Sequence, residues 1–204
     1  MNGALPSEHR LILASKSAGR AAVLKGAGLA FDQILANVDE ASIRDSLRAE
    51  GVPTAKQADL LAETKAMKVS ANHQGVVIGA DQMLEVDGEA MDKASSMAEA
   101  RSHLIRLRGK THILQTAIVA CIEGAPVWRH LAQPRLRMRN FSDAFLDAYL
   151  ADIGEAALSS VGSYEIEGRG AQLFDRIEGD HFSIIGLPLL PLLGWLRDRG
   201  TLPA

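Results

Sequence analysis

The sequence predicts an α/β protein, and three segments carry that prediction. Residues 11–14 form a short apolar strand that runs through a small polar loop into a helical pattern. Residues 53–73 have the length and the apolar face of a long amphipathic helix. Residues 76–82 begin with consecutive β-branched residues, which are typical of a strand buried on both faces. Strands that alternate with helices predict a sheet with helices packed on it.

Length and composition predict one domain, with room for two lobes, across the 204 residues. Hydrophobic residues make up 47% of the chain, which is enough for a sizeable core. The formal net charge of -3 excludes a general surface for nucleic acid polymers, so any recognition of phosphate must be local.

Cys121 is the only cysteine, which excludes an intrachain disulfide and indicates a reducing, cytoplasmic compartment. The first ten residues contain no apolar stretch of the kind found in secretory signals. Residues 184–196 are the longest apolar stretch, but two prolines and two glycines interrupt it. It is too short to span a bilayer, so we expect no membrane association.

The loop after the first strand combines two serines with a basic residue, Ser15, Ser17 and Arg20. Free N–H groups at a helix start and a nearby guanidinium suit an anion such as phosphate. The alternative is an ordinary serine N-cap beside a solvated arginine. Residues 31–36 then predict a second strand, which is followed by Asp39 and Glu40. These carboxylates suit Mg²⁺, or they begin the next helix, and we favour the helix start.

Lys65 falls within the apolar face of the long helix, where a lysine is unusual unless it reaches a partner. The alternative is a lysine whose ammonium extends from the edge of the core to solvent. In the following strand, Gly79 and Ala80 remove side-chain bulk just before Asp81. We expect the strand to end at Asp81 and to present its carboxylate at the mouth of the sheet, or Asp81 caps the next turn.

The second half of the chain predicts a hairpin at Asp87-Gly88, with Lys93 folding back towards Asp81. The remaining predicted elements are helices at 96–108 and 142–153, strands at 111–122, 127–139 and 182–185, and a last helix that begins near Pro188. The alternating arginines Arg135, Arg137 and Arg139 are interpreted as the solvated face of a strand rather than as a nucleic-acid patch.

The six histidines show no metal-ligand spacing, and no Gly-x-Ser-x-Gly elbow is present. A set of acids suited to a divalent cation and of bases suited to polyphosphate remains: Ser15, Arg20, Glu40, Lys65, Asp81 and Lys93. In its order and spacing this set resembles the Maf family of nucleoside triphosphate pyrophosphatases. The matching segments are residues 14–20, 38–40, 63–66, 79–81, Lys93, 164–168, 178–180 and 186–188.

The resemblance implies an α/β fold with an elongated mixed sheet flanked by helices and a deep cleft between two lobes, in one domain over residues 1–204. It implies hydrolysis of a nucleoside triphosphate to its monophosphate and pyrophosphate, with Mg²⁺ or alternatively Mn²⁺. It also implies a homodimer. By resemblance, Asp81, Lys65 and Lys93 are catalytic and Glu40 and Asp81 hold the metal; Ser15, Arg20, Gln82 and Glu167 bind the substrate.

The chain departs from the family pattern at several positions. The family's Ser-Pro-Arg-Arg is Ser17-Ala18-Gly19-Arg20 here, and its Gly-Lys-Pro is Asp92-Lys93-Ala94. Gln82 and Glu167 replace the family's common Thr and Gln, and this pair is similar to the subgroup that prefers 7-methyl-GTP to dTTP and UTP.

The identity of residue 167 has a physical consequence for base recognition. The Glu167 carboxylate can accept hydrogen bonds from guanine N1–H and its 2-amino group, and N7-methylation adds charge assistance. The alternative is an exposed strand residue, or one that pairs with Arg169.

The alternative functions are a pyrophosphatase that prefers dTTP and UTP, one specific for deaminated purines, and a non-catalytic, nucleotide-binding regulator of septum formation.

Overall fold

The computed structural model describes residues 10–203, which form a mixed α/β fold, as predicted. Its strands form an eight-stranded mixed sheet in the order β2-β1-β3-β5-β7-β8, in which β4 pairs with β3 and β6 pairs with β5. The strands are β1 Leu11–Leu13, β2 Asp32–Gln33, β3 Val76–Val86, β4 Glu89–Met91, β5 Thr111–Ile122, β6 Ala125–Ala132, β7 Arg135–Met138 and β8 Phe174–Glu178. The helices are α1 Ala18–Gly26, α2 Glu40–Ala49, α3 Thr54–Ser70, α4 Met97–Leu107, α5 Asp143–Ile153, α6 His181–Ile185 and α7 Leu189–Asp198.

The chain divides into two compact units, and strands β3 and β5 each contribute to both. Of the described residues, the first unit contains 10–81, 116–132 and 181–203, and the second contains Gln82–Gln115 and Gln133–Asp180. No helix within residues 10–203 is both long and apolar enough to cross a membrane.

The first unit is built on parallel strands, because β1 pairs in parallel with both β2 and β3. Both faces of these strands are covered. On one face, Ile12 and Val77 pack with Val69 of α3. On the other face, Ile78 packs in a cluster that includes Leu24 of α1, and helix α7 completes this cluster. Parallel strands covered on both faces explain why their sequences are almost entirely apolar.

The second unit is antiparallel, and its β3–β4 hairpin confirms the turn predicted at Asp87-Gly88. Both turn residues have positive φ, 55° and 80°, as a tight turn between twisted strands requires. Strand β7 lies between β5 and β8 and pairs antiparallel with each. Ser96 and Ser142 cap α4 and α5, and both helices lie where they were predicted.

Strand β3 is longer than predicted and does not end at Asp81. It continues for five residues to Val86, because the first strand of the hairpin is the same strand. Asp81 therefore lies within a continuous strand rather than at its end, and it does not cap a turn.

Three other predicted strands differ from the structure. The strand predicted at 31–36 is reduced to the two residues of β2. The strand predicted at 127–139 is divided into β6 and β7, and Pro134 lies in the break. Proline has no N–H to donate to a ladder, which explains the interruption.

The strand predicted at 182–185 is wrong, because these residues belong to helix α6. Their β-branched, apolar character serves the core instead, since Ile184 is buried. The last strand is β8, which the sequence analysis did not identify. Strand β8 is mostly charged and exposed, so it lacks an apolar pattern.

A buried histidine in the second unit predicts how stability depends on pH. His112 is 0% exposed, and a 2.8 Å hydrogen bond joins its Nε2 to the hydroxyl of Tyr164. Burial lowers the pKa of His112 from 6.5 to about 4. Between these values the unfolded chain binds the proton and the folded chain does not, so the stability contribution is complete above the unfolded pKa and is lost as the pH falls.

We expect this single group to remove about 3 kcal/mol from the free energy of unfolding between pH 7 and pH 4. Urea titrations of the wild type and of His112→Gln at both pH values measure the difference. The variant should lose much less stability on acidification. Equal losses in the two proteins would show that His112 does not carry this pH dependence.

Candidate active site

The centre of the site is Lys65, whose ammonium lies between two carboxylates of the first unit. Its Nζ is 2.6 Å from Asp81 Oδ1 and 2.9 Å from Glu40 Oε2. The side chains of Lys65 and Asp81 are only 7% and 6% exposed, whereas that of Glu40 is 34% exposed. Lys65 therefore has a buried partner, and the alternative of an ammonium that extends to solvent is excluded.

Helix α3 and strand β3 approach each other closely enough to form this pair because residue 79 is glycine. A Cβ at Gly79 would lie 2.1 Å from the carbonyl oxygen of Ala62 and 2.7 Å from the amide nitrogen of Ala66. Only glycine permits such an approach of backbone to backbone. The approach sets Lys65 of the helix against Asp81 of the strand.

The two carboxylates predicted at residues 39 and 40 have different roles. Asp39 caps α2, since its side chain accepts a hydrogen bond from the Ser42 amide at 3.1 Å. Glu40 is the first residue of α2, and its side chain reaches Lys65 and, at 3.7 Å, Arg44. The favoured interpretation, a helix start, is therefore confirmed, and the Mg²⁺ interpretation stays a prediction.

Burial raises the pKa of Glu40, but Lys65, Arg44 and Arg20 lower it by more. The pKa of Glu40 therefore lies below its ordinary value, and its carboxylate is ionised at neutral pH.

The polar loop after β1 holds Ser15 and Arg20 together. Arg20 Nη1 donates to Ser15 Oγ at 3.1 Å, and Arg20 Nε donates to the carbonyl oxygen of Gly186 at 2.9 Å. Ser17 caps α1 by accepting from the Arg20 amide. Ser17 is therefore the N-cap that the alternative interpretation predicted, while Arg20 is held in place rather than solvated.

Electrostatics link this loop to the acidic centre. Burial lowers the pKa of Arg20 below its ordinary value, while the charges of Asp81 and Glu40 raise it by less. The first unit thus brings together five predicted site residues: Ser15, Arg20, Glu40, Lys65 and Asp81.

Asp81 and Glu40 are the acids of the first unit that could hold a divalent cation. Asp81 Oδ2 is buried and has no hydrogen-bond partner among residues 10–203. In the same part of the chain, no three His, Cys, Asp or Glu side chains cluster as a metal-binding group. Mg²⁺ is commonly held by one or two carboxylates together with water and substrate phosphates, so Asp81 with Glu40 fits this ion.

The other three predicted site residues belong to the second unit. Gln82 follows Asp81 in β3 and is half-buried, and Lys93 is exposed two residues after β4. Glu167 lies in an exposed turn, not in a strand, and has no hydrogen-bond or ion-pair partner within residues 10–203. Arg169 instead pairs with Asp152 at 3.4 Å, so the predicted alternative of a Glu167–Arg169 pair is wrong.

Two groups that sequence patterns did not reveal support the polar loop after β1. Gln33 Nε2 donates to the Ser15 carbonyl oxygen at 2.8 Å, and Gly186 accepts from Arg20. Gly186 has a φ of 118°, which favours glycine. Residues 186–188 are one of the segments that carry the family resemblance, but only the fold shows that the Gly186 backbone contacts the Arg20 side chain.

Known proteins that are similar to this chain match it over nearly its whole length. The family model described as Maf-like protein matches residues 10–199. The chain is 54% identical to a nucleoside triphosphate pyrophosphatase of Hyphomonas neptunium, over 94% of this chain and 96% of that protein. It is 51% identical to a protein of the same name from Caulobacter vibrioides, over 93% and 96%. It is 44% identical to a 7-methyl-GTP pyrophosphatase of Brucella abortus, over 92% and 95%.

Proposed function

Because this chain belongs to the Maf family, we propose that it hydrolyses a nucleoside triphosphate to the nucleoside monophosphate and pyrophosphate. The names of relatives about half identical to it support a pyrophosphatase, a hydrolase of acid anhydrides. The observation that carries the proposal is the buried Lys65–Asp81 pair, with Glu40 as a second, partly exposed partner of Lys65 and an unpartnered oxygen on Asp81. A buried charged cluster of this kind is typical of a catalytic site.

In the proposed reaction, Asp81 orients a water molecule and accepts its proton. The water oxygen forms a bond to the α-phosphorus, and the bond from that phosphorus to the bridging oxygen of pyrophosphate breaks. Lys65 and Arg20 of the first unit balance the negative charge of the leaving pyrophosphate, a role that the resemblance also implies for Lys93. Catalysis is then positioning plus electrostatic stabilisation, as in phosphoryl transfer generally.

Glu40 and Asp81 would hold the Mg²⁺ or Mn²⁺ ion. When bound, the ion supplies charge neutralisation for the phosphates. Lys65 keeps both carboxylates in place in the protein itself, since its ammonium contacts one oxygen of each.

For the base, we propose 7-methylguanine, recognised by Glu167. The exposed carboxylate lacks a partner among the described residues, so it is available for a ligand. Two 7-methyl-GTP pyrophosphatases of Brucella, at 44% and 45% identity, support this preference. The more similar relatives are named only nucleoside triphosphate pyrophosphatase, and this name specifies no base.

The test is pyrophosphate release with Mg²⁺ from GTP, 7-methyl-GTP, UTP, dTTP, CTP and ITP, by the wild type and by Glu167→Gln. We expect 7-methyl-GTP to have the highest kcat/KM in the wild type. The variant should lose about 10- to 100-fold for this substrate, because a charged hydrogen bond contributes about 1.5–3 kcal/mol. Glu165→Gln, at a neighbouring exposed acid, is the control and should leave the preference unchanged.

Each outcome of this panel separates the alternatives. A preference for UTP or dTTP in the wild type would contradict the base assignment, and ITP as best substrate would favour a pyrophosphatase for deaminated purines. No turnover of any nucleotide, beside an active relative as control, would favour the non-catalytic regulator.

The homodimer and the cytoplasmic location are also proposals. The first rests on resemblance alone and the second on the single cysteine, Cys121, which is free and buried. Light scattering coupled to size-exclusion chromatography tests the first against the monomer mass of 21.8 kDa.

A further inference from the structure

A group of arginines lies on one face of the sheet in the second unit, apart from the residues assigned to catalysis. Register places Thr111, Arg137 and Arg176 in one row across β5, β7 and β8. The adjacent row contains Arg135 and Glu178, which lie opposite each other in the register of β7 and β8. All five of these residues are exposed, whereas His112 and Leu136 between them on the opposite face are 0% exposed. This face of the three strands is therefore the solvated one.

The same five residues line a cavity of about 460 Å³, a volume within the range of small-molecule sites. Three guanidinium groups and one carboxylate leave the lining positively charged. The whole chain carries a net charge of -3, so this charge does not reflect a generally basic surface. The cluster is local, as a site for a discrete anion would be.

The arrangement of the arginines is unfavourable for the sheet alone. Arg137 and Arg176 are directly opposite on neighbouring strands, and like charges in that position destabilise a sheet. The nearby acids compensate only in part. Glu178 lies 2.6 Å from Arg176, but Asp175 is 3.6 Å from Arg137, beyond hydrogen-bond distance. Arg135 has no ion-pair partner within residues 10–203.

We propose that this cavity binds a phosphate-chain anion, either inorganic pyrophosphate or the phosphates of a nucleotide. Planar guanidinium groups donate paired hydrogen bonds to phosphate oxygens, and the Thr111 hydroxyl adds a further donor. An anion with more than one phosphate can contact Arg135 and Arg137 on one strand and Arg176 on the next. Its charge would relieve the repulsion between Arg137 and Arg176. The proposal does not depend on the catalytic function proposed above.

The test follows backbone amide signals of β7 and β8 by NMR in the full chain, without divalent cations, as pyrophosphate is added. We expect saturable shifts at Leu136 and Ile177. The double variant Arg135→Gln/Arg137→Gln should bind at least about tenfold more weakly, because it removes two of the three guanidinium groups that line the cavity. Arg101→Gln/Arg106→Gln, on α4 of the same unit, is the matched control and should bind like the wild type.

Local signals distinguish this cavity from the candidate active site, and the spectrum of each variant reports whether it is folded. The same titration is repeated with ADP and with sulfate. Tighter binding of ADP than of pyrophosphate would identify the nucleotide as the source of the phosphates, and the reverse would identify the inorganic anion. Absence of saturable shifts in β7 and β8, unchanged binding by the double variant, or equal affinity for sulfate would overturn the proposal.

Discussion

Replacing Asp81 with Asn is expected to lower kcat for pyrophosphate release by about three orders of magnitude or more. The amide keeps the size of the side chain but cannot accept a proton from water, and it supplies no charge for a cation. It also leaves the Lys65 ammonium, which is only 7% exposed, with Glu40 as its remaining carboxylate. The loss should fall on kcat, because Asp81 acts on the reacting groups and not on the base of the nucleotide.

Single-turnover and steady-state assays of Asp81→Asn measure this loss, with circular dichroism to confirm the fold. Asp32→Asn is the matched control, because Asp32 also pairs with a base, Arg10 at 2.6 Å, but is half exposed. It should retain the wild-type rate. An Asp81→Asn protein that turns over at nearly the normal rate would contradict the catalytic role.

Replacing Gly79 with Ala is expected to lower the free energy of unfolding by about 3 kcal/mol. The added Cβ would lie 2.1 Å from the Ala62 carbonyl oxygen, and this backbone atom cannot move without displacing helix α3. Because Lys65 lies on that helix, the displacement should also separate Lys65 from Asp81. A misplacement of about 1 Å at a catalytic site can reduce activity about 100-fold.

Gly194→Ala provides the control for this effect. Gly194 lies inside α7, and a Cβ there would have no neighbour within 4 Å. Alanine in a helix is favoured over glycine, so this variant should gain about 0.5–1 kcal/mol. Urea unfolding measures the expected loss of stability in Gly79→Ala and the expected gain in Gly194→Ala. Equal stability of Gly79→Ala and the wild type would show that helix and strand adjust to the methyl group without loss.

The fold was predictable wherever local pattern and tertiary role agree. Strand β1, helices α3, α4 and α5 and the β3–β4 hairpin each carry their own periodicity, cap or turn residues. Prediction failed where the two conflict. The β-branched residues of α6 favour a strand locally, yet they fill the core as a helix, and the charged residues of β8 carry no apolar signal although they pair with β7.

For the site, the sequence identified the residue types but not their contacts. An apolar helix face with Lys65 in it left two interpretations open, and only the approach of α3 to β3 at Gly79 decides between them. The contact of Arg20 with Gly186 joins residues 166 positions apart, and no local pattern contains that information.

That long contact has a consequence for synthesis of the protein on the ribosome. The first unit includes residues 181–203, so its core cannot close until these residues have been translated. Arg20 is synthesised early, but its guanidinium can form this hydrogen bond only after Gly186 has been added to the chain. A product of premature termination before residue 181 would therefore contain Lys65 and Asp81 but would lack the contact between Arg20 and Gly186. Activity in this protein should therefore arise only after residues 181–203 have been made, and shorter chains should be inert and exposed to proteolysis.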